Sequence, residues 1–294
     1  MNKKGLTATF IFEAESANYG EGVGNVTSLK KISRETGECY SYISRQALRY
    51  NIINQMGEDT TPLGVDGSVI QFALESNIKE NAEIDLFGYM KTKKPAKTRS
   101  AVVRLSNAIA LESFNSDLDF LTNKGLLDRY NSQNNELKDG GNIAQSEIHK
   151  SYYSYTITID LDKVGIDVND NIEIDNKEKS ERINKMLKTI KFLYRDIKGR
   201  RENLSPIFAI GGVYDIKNPF FENKVNTYKN RIKVDTIKDV FLLDENISNN
   251  TSVGLIKGIF NNDDQIEKEL DSISMGEFFG KIENQVDEYY KQSK

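Results

Sequence analysis

The chain has 294 residues, 38% of them apolar, with 14 Tyr, 14 Phe and no Trp, enough for one large elaborated domain with a real core. A single cysteine, Cys39, excludes an intramolecular disulfide and a cysteine-rich zinc site, and a single histidine, His149, excludes an HExxH motif. The net charge of −4 argues against a wholly basic nucleic-acid binder and leaves only a local basic stripe for that role.

The opening apolar run soon meets Glu13 and Glu15, which is not the pattern of a signal peptide, and no run approaches membrane-span length. A soluble cytoplasmic protein is expected. Residues 5–14 alternate Leu6, Ala8, Phe10 and Phe12 with Thr7, Thr9, Ile11 and Glu13, the period of a strand with a packed face. A loop with Gly20, Gly22 and Gly24 follows, then Lys30, Lys31 and Arg34. Glycines permit close backbone approach and lysines suit phosphate, but the spacing is neither a Walker A loop nor GxGxxG. Gly37 turns a hairpin into residues 40–56, read as a helix capped by Ser41 and Ser44, with Ile43, Ala47, Leu48, Ile52 and Met56 as its buried stripe. Arg45 and Arg49 project from one face of its first turns, where the positive helix end favours phosphate.

Residues 66–82 read as an apolar-faced helix. From Leu86 to Leu111 there are six basic residues, Lys91, Lys93, Lys94, Lys97, Arg99 and Arg104, and no acidic one. This run fits either a solvated loop or a surface that contacts phosphates without regard to sequence. Residues 112–151 are polar and turn-rich, with Gly140-Gly141 near the middle, and read as an exposed excursion. His149, without a partner histidine or cysteine, reads as an ordinary surface histidine.

YYSYTITIDL (152–161) is the clearest strand. Its face of Tyr153, Tyr155, Ile157, Ile159 and Leu161 fits core packing better than base stacking. Ile183, Leu187, Ile190, Tyr194 and Ile197 predict a second long helix over 177–197, stopped at Lys198-Gly199. An apolar strand at 205–215 runs into Gly211-Gly212. Strands are predicted at 232–243 and 252–260, and an acidic amphipathic helix at 264–290.

AESANYGEGVGNVTSLKKI (14–32) followed by YISRQALR (42–49) resembles the DevR-type CRISPR-associated autoregulator family, the guide-RNA-coating backbone subunits of type I Cascade, here of the I-B kind. The resemblance implies an α+β fold with a ferredoxin-like, RNA-recognition-type core at 1–56 and 152–294. It also implies a finger insertion at about 57–115 and a thumb at about 116–151, within a single elaborated domain. It implies RNA contacts at Asn25, Lys30, Lys31, Arg45, Gln46 and Arg49, at Lys93, Lys94 and Lys97 on the finger, and at a glycine turn, Gly211 and Gly212. The thumb would use Gly140, Gly141 and an apolar wedge, Ile143 or Leu137. Partners would be the guide RNA, further copies stacked head to tail, other Cascade subunits and, through the guide, target DNA; no cofactor, metal or membrane is implied.

Two rivals stay open. Type III relatives cut RNA with an aspartate in the loop after the first strand, but residues 16–38 here contain none and Asn25 lies near that place. A duplex-binding transcriptional regulator has no helix-turn-helix signature behind it.

Overall fold

The alternating segment Gly5–Ala14 is the centre of the sheet in the computed structural model, which describes residues 3–292 apart from 35–36, 93–94, 136 and 141–142, and only the backbone of 21 and 23. It pairs antiparallel with Ser151–Asp160 along its whole length, Gly5 opposite Asp160 and Ala14 opposite Ser151. On its other side it pairs with Phe208–Tyr214, from Gly5 opposite Tyr214 to Ile11 opposite Phe208. The sheet runs Ile273–Ser274, Ser252–Leu255, Phe208–Tyr214, Gly5–Ala14, Ser151–Asp160, Ala108–Ala110, Cys39–Ile43, Lys31–Ser33, with Val103–Leu105 also alongside Ser151–Asp160. Helix Arg45–Met56 lies in sequence between the first strand and 103–110, and helix Asn176–Lys191 between Ser151–Asp160 and Phe208–Tyr214. The order is β-α-β-β-α-β, with the strands of the two halves interleaved. The fold is α+β, as the strand and helix patterns imply.

One face of the sheet is covered by Arg45–Met56, Asn176–Lys191 and Met275–Gln292, which bury Leu6, Ala8, Phe10, Phe12, Tyr153, Tyr155, Ile157 and Ile159. Phe10 stacks on Phe279 at 6.0 Å and packs against Tyr155 at 5.3 Å. Full burial of side chains of this size stabilises by about 1.5–3 kcal/mol each. The alternating tyrosines are therefore core. Over the opposite face, Ile11, Phe208 and Ile210 meet Phe221, Val225, Ile232 and Ile237 from the later chain. That cover reaches Tyr152 and Leu111 and leaves open the part of the sheet face around Ser106, Asn107 and Ser154.

Several helix boundaries differ from those the periodicity predicts. Residues 63–72 form a hairpin, Leu63–Asp66 against Val69–Phe72, and the helix that follows is the short Ala82–Phe87. The second long helix ends at Lys191. Tyr194–Ile197 pairs with Arg200–Asn203 instead, with Lys198-Gly199 as the turn at positive φ. The 232–243 segment contains helix Val234–Phe241, and the strand after it is only Ser252–Leu255. The acidic helix is two, Asp263–Leu270 and Met275–Gln292, divided where Asp271 turns left-handed.

Residues 117–148 form a strand, Asp117–Thr122, a helix, Lys124–Asn134, with no buried residue, and a returning strand, Ile143–Ile148. The return strand lies parallel to Val26–Leu29, so the excursion and the glycine hairpin Tyr19–Val23/Val26–Leu29 share a second, four-stranded sheet. At its root His149 is buried, not a surface residue. Its Nδ1 lies 2.7 Å from Ser41 Oγ, and its ring meets Phe114 edge-on at 5.4 Å. Ser41 sits in a strand and bridges His149 and Tyr153, so it is not a helix cap.

Burial holds the His149 imidazole below its ordinary value of 6.5, against a smaller upward pull from Glu112. The unfolded chain binds a proton near 6.5 that the folded chain refuses, so this contribution is intact above that pH and is lost as pH falls below it. The urea midpoint is expected to drop between pH 7 and 5.5, and His149→Gln is expected to flatten that drop.

Candidate nucleic-acid interface

The start of helix Arg45–Met56 is assembled from three stretches of chain. Ser44 is extended and its Oγ accepts from the Ala47 amide at 3.3 Å, the cap the sequence calls for. The Ser44 amide and hydroxyl both donate to Asn18 Oδ1, at 3.1 and 2.8 Å. The Arg45 amide donates to Asn107 Oδ1 at 2.9 Å. Lys30 is tied in by its backbone: its amide donates to Asn18 O at 2.7 Å, and its carbonyl accepts from Tyr42 at 3.0 Å. Lys30, Ser44, Arg45 and Gln46 thus hold fixed places around one helix N-terminus, with Arg45 and Gln46 exposed.

Beside it a cleft of about 540 Å³ opens on the uncovered sheet face. Its floor includes Ser106, Asn107, Ser154 and Thr156, its far wall is the 222–226 loop, and Arg34 and Arg45 line its near side. Thr156 is held from both sides, its hydroxyl 2.7 Å from that of Thr9 and its amide donating to Ser106 Oγ at 2.9 Å. Arg34 lies over the Tyr40 ring at 4.1 Å, and the Tyr40 hydroxyl donates to Glu38, which pushes the phenol up. Among the described residues neither Arg34 nor Arg45 forms an ion pair. Two guanidiniums, Arg45 at the helix N-terminus and Arg34 on the hairpin, over a floor that sets hydroxyls and amides beside Leu105, Ile109 and Leu111, suit a phosphate chain with its sugars. Among the described residues no group of three or more His, Cys, Asp or Glu side chains could hold a metal ion, and no helix is long and apolar enough to cross a membrane.

The other expected contacts do not converge here. Lys31 turns away, ion-paired with Glu147 at 2.8 Å and set over Phe114 at 4.4 Å. Arg49 is half-buried, bonded to Glu83 at 3.1 Å and stacked over Phe87 at 5.0 Å. Lys97 pairs with Asp170, and Lys93 and Lys94 lie outside the described residues. Asn25 is exposed at the tip of the glycine hairpin, its carbonyl accepting from Gln145 of the excursion at 2.9 Å. Ile143 is half-exposed on the return strand, Leu137 is 97% exposed, Gly140 sits in a left-handed turn, and Gly141 lies outside the described residues.

Gly211 and Gly212 require a correction. They are not a turn but the buried interior of strand Phe208–Tyr214, so the cleft joins the Arg45 helix to the 222–226 loop and not to these glycines. A Cβ on Gly211 would run into the Thr7 carbonyl and Ala8, and one on Gly212 into the Asn250 carbonyl. Gly212→Ala is expected to destabilise the fold by about 1–3 kcal/mol, the usual cost of overpacking, measurable as a lower urea midpoint.

Sequence reasoning missed the floor. Arg34 read only as one of the loop's basic residues, and Ser106, Asn107, Ser154, Asn223 and Asn226 carried no motif. The signal available was alternation: Ser154 and Thr156 are the polar partners of Tyr153, Tyr155 and Ile157, and so face away from the helices.

No curated protein matches the sequence. In fold the chain is similar to a chain of a solved structure described as "CRISPR RNA-guided surveillance complex, pre-nicking", with a TM-score of 0.60 and 11% identity over 86% of this chain and 93% of that one. It is similar also to a chain of a "CRISPR RNA-guided surveillance complex", with a TM-score of 0.57 and 11% identity over 99% and 100% of the two chains. The sequence model of the family described as CRISPR-associated negative auto-regulator DevR/Csa2 matches residues 6–236, which include both the glycine hairpin and the Arg45 helix. This protein belongs to the CRISPR-associated DevR/Csa2 family.

Proposed function

We propose that this chain is a non-catalytic subunit of a type I CRISPR surveillance complex, binding along single-stranded guide RNA and presenting its bases for pairing with target DNA. The observation that carries the reading is the cleft: Arg45 at a helix N-terminus and Arg34 on the hairpin beside it, neither in an ion pair among the described residues, over an open part of the sheet face. Those groups neutralise a backbone without reading bases, and base pairing then supplies the sequence. The core is read as ferredoxin-like, the insertion at about 57–115 as the finger, with its last strands, Val103–Leu105 and Ala108–Ala110, lying in the main sheet, and residues 116–151 as the thumb. Head-to-tail stacking of copies is supported by large apolar side chains exposed in two separate places, Leu63, Val65 and Ile70 on one hairpin and Phe120, Leu121 and Leu126 on the excursion. Unlike surfaces on one chain that meet between copies build an open filament.

The family's description as a negative auto-regulator favours a second reading, tight binding to one duplex operator. Titrating the full chain with unrelated single-stranded RNAs and with duplex DNA from its own promoter separates the two. The proposal expects similar affinity for all the RNAs, with filaments visible by electron microscopy. Preference for one duplex site over every RNA contradicts it, as does magnesium-dependent cleavage of a complementary RNA.

A further inference from the structure

The cleft carries a group that a purely phosphate-binding groove would avoid. Glu222 lines it together with Arg34 and Arg45, and among the described residues its carboxylate is in no ion pair. A carboxylate facing a polyanion repels it unless the strand offers a proton to accept. Among the described residues no aromatic ring lies open on the floor for a base to stack on. Tyr155 borders the cleft, but its ring is buried on the opposite face against Phe10 and Phe12. The lining offers hydroxyls and amides beside the aliphatic Leu105, Ile109 and Leu111, and Ser154 Oγ has no hydrogen-bond partner among the described residues. Such a lining matches a sugar, not a base.

We propose that Glu222 and the Ser154 floor form a ribose subsite, in which the 2′-hydroxyl of an RNA strand held by Arg34 and Arg45 donates to the Glu222 carboxylate, so that the chain prefers RNA to DNA of the same base sequence. The proposal rests on the single-strand-binding reading above and names the chemical feature that selects the strand. The 2′-hydroxyl is the donor that RNA has and DNA lacks. With the sugar edge turned into the cleft, the bases face outward and stay free to pair.

The test is fluorescence-anisotropy titration of the full chain with three oligomers of one length: uridine RNA, its 2′-deoxy form and its 2′-O-methyl form. A hydrogen bond to a charged acceptor predicts RNA binding about tenfold tighter than either of the others. Glu222→Ala should lower the RNA affinity by about the same factor while leaving the deoxy oligomer unchanged or tighter, since a repelling charge is gone. The 2′-O-methyl arm uses the unaltered protein, so the answer does not depend on how well the variant folds. Equal binding of all three oligomers overturns the subsite and leaves strand binding intact, as does an equal loss on RNA and DNA in the variant. Failure of the unaltered chain to bind any strand overturns both readings.

Discussion

Replacing Arg34 and Arg45 together by alanine is expected to weaken single-stranded RNA binding by about a hundredfold or more at low salt, since each charge-assisted contact is worth about 1.5–3 kcal/mol. Log K should also depend less steeply on log salt, the slope falling by about 1.4, because each phosphate contact on a single strand contributes about 0.7. The loss should be nearly uniform across sequences. Neither side chain is in an ion pair among the described residues and both are exposed, so the melt should move by no more than about 0.5 kcal/mol. Arg49→Ala makes the contrast. Its guanidinium is already satisfied by Glu83 and Phe87, so its share of the salt slope should be smaller than that of Arg45. An unchanged slope in the double variant counts against the cleft as the binding site.

Asp85→Ala should be the most damaging single change to the fold. The Asp85 carboxylate is fully buried, and three donors converge on it. Arg99 reaches Oδ1 at 2.7 Å, the Gly165 amide reaches the same oxygen at 2.9 Å, and Arg182 reaches Oδ2 at 2.9 Å. Arg182 comes from helix Asn176–Lys191 and also donates to the carbonyls of Ile78 and Lys79, at 2.7 and 2.9 Å. One carboxylate therefore ties the 78–99 segment to the helical layer. Its removal leaves the buried Arg99 guanidinium without its anion and Arg182 with Glu178 as its one remaining carboxylate, and breaking such a network costs about 3–5 kcal/mol. Chemical denaturation should show a loss of that size. A loss under about 1 kcal/mol would mean that water or the backbone carbonyls hold the arginines well enough alone.

How much of this was legible in the sequence depends on the kind of signal. Strands 5–14 and 152–161 stood out because alternation of Phe, Tyr and Ile with small polar residues is set by the pleat itself. The cap at Ser44 was readable because a helix start needs a side-chain acceptor. Length of periodicity misled: Tyr194 and Ile197 keep helical spacing with Ile190, yet the turn at Lys198-Gly199 closes a hairpin that pairs them with Arg200–Asn203. Gly211-Gly212 looked like a turn because local sequence cannot reveal that Thr7, from the neighbouring strand, and Asn250, from the end of helix Glu245–Asn250, press on them. Charge counting had the same defect. Lys31, Arg49 and Lys97 were correctly seen as basic, but Glu147, Glu83 and Asp170, distant in sequence, neutralise them in the fold. The cleft itself joins residues 34, 45, 106, 154 and 222, and no local pattern spans such separations.

The claim on which the account depends is that a single strand lies across the uncovered sheet face, between the Arg45 helix and the 222–226 loop. Photo-crosslinking of the full chain to 4-thiouridine-substituted RNA, followed by mass spectrometry of the linked peptides, tests it directly. The account predicts crosslinks concentrated in peptides spanning 30–34, 44–46, 105–109 and 222–226. Crosslinks confined to the helices 176–191 and 275–292, on the opposite side of the sheet, would contradict it.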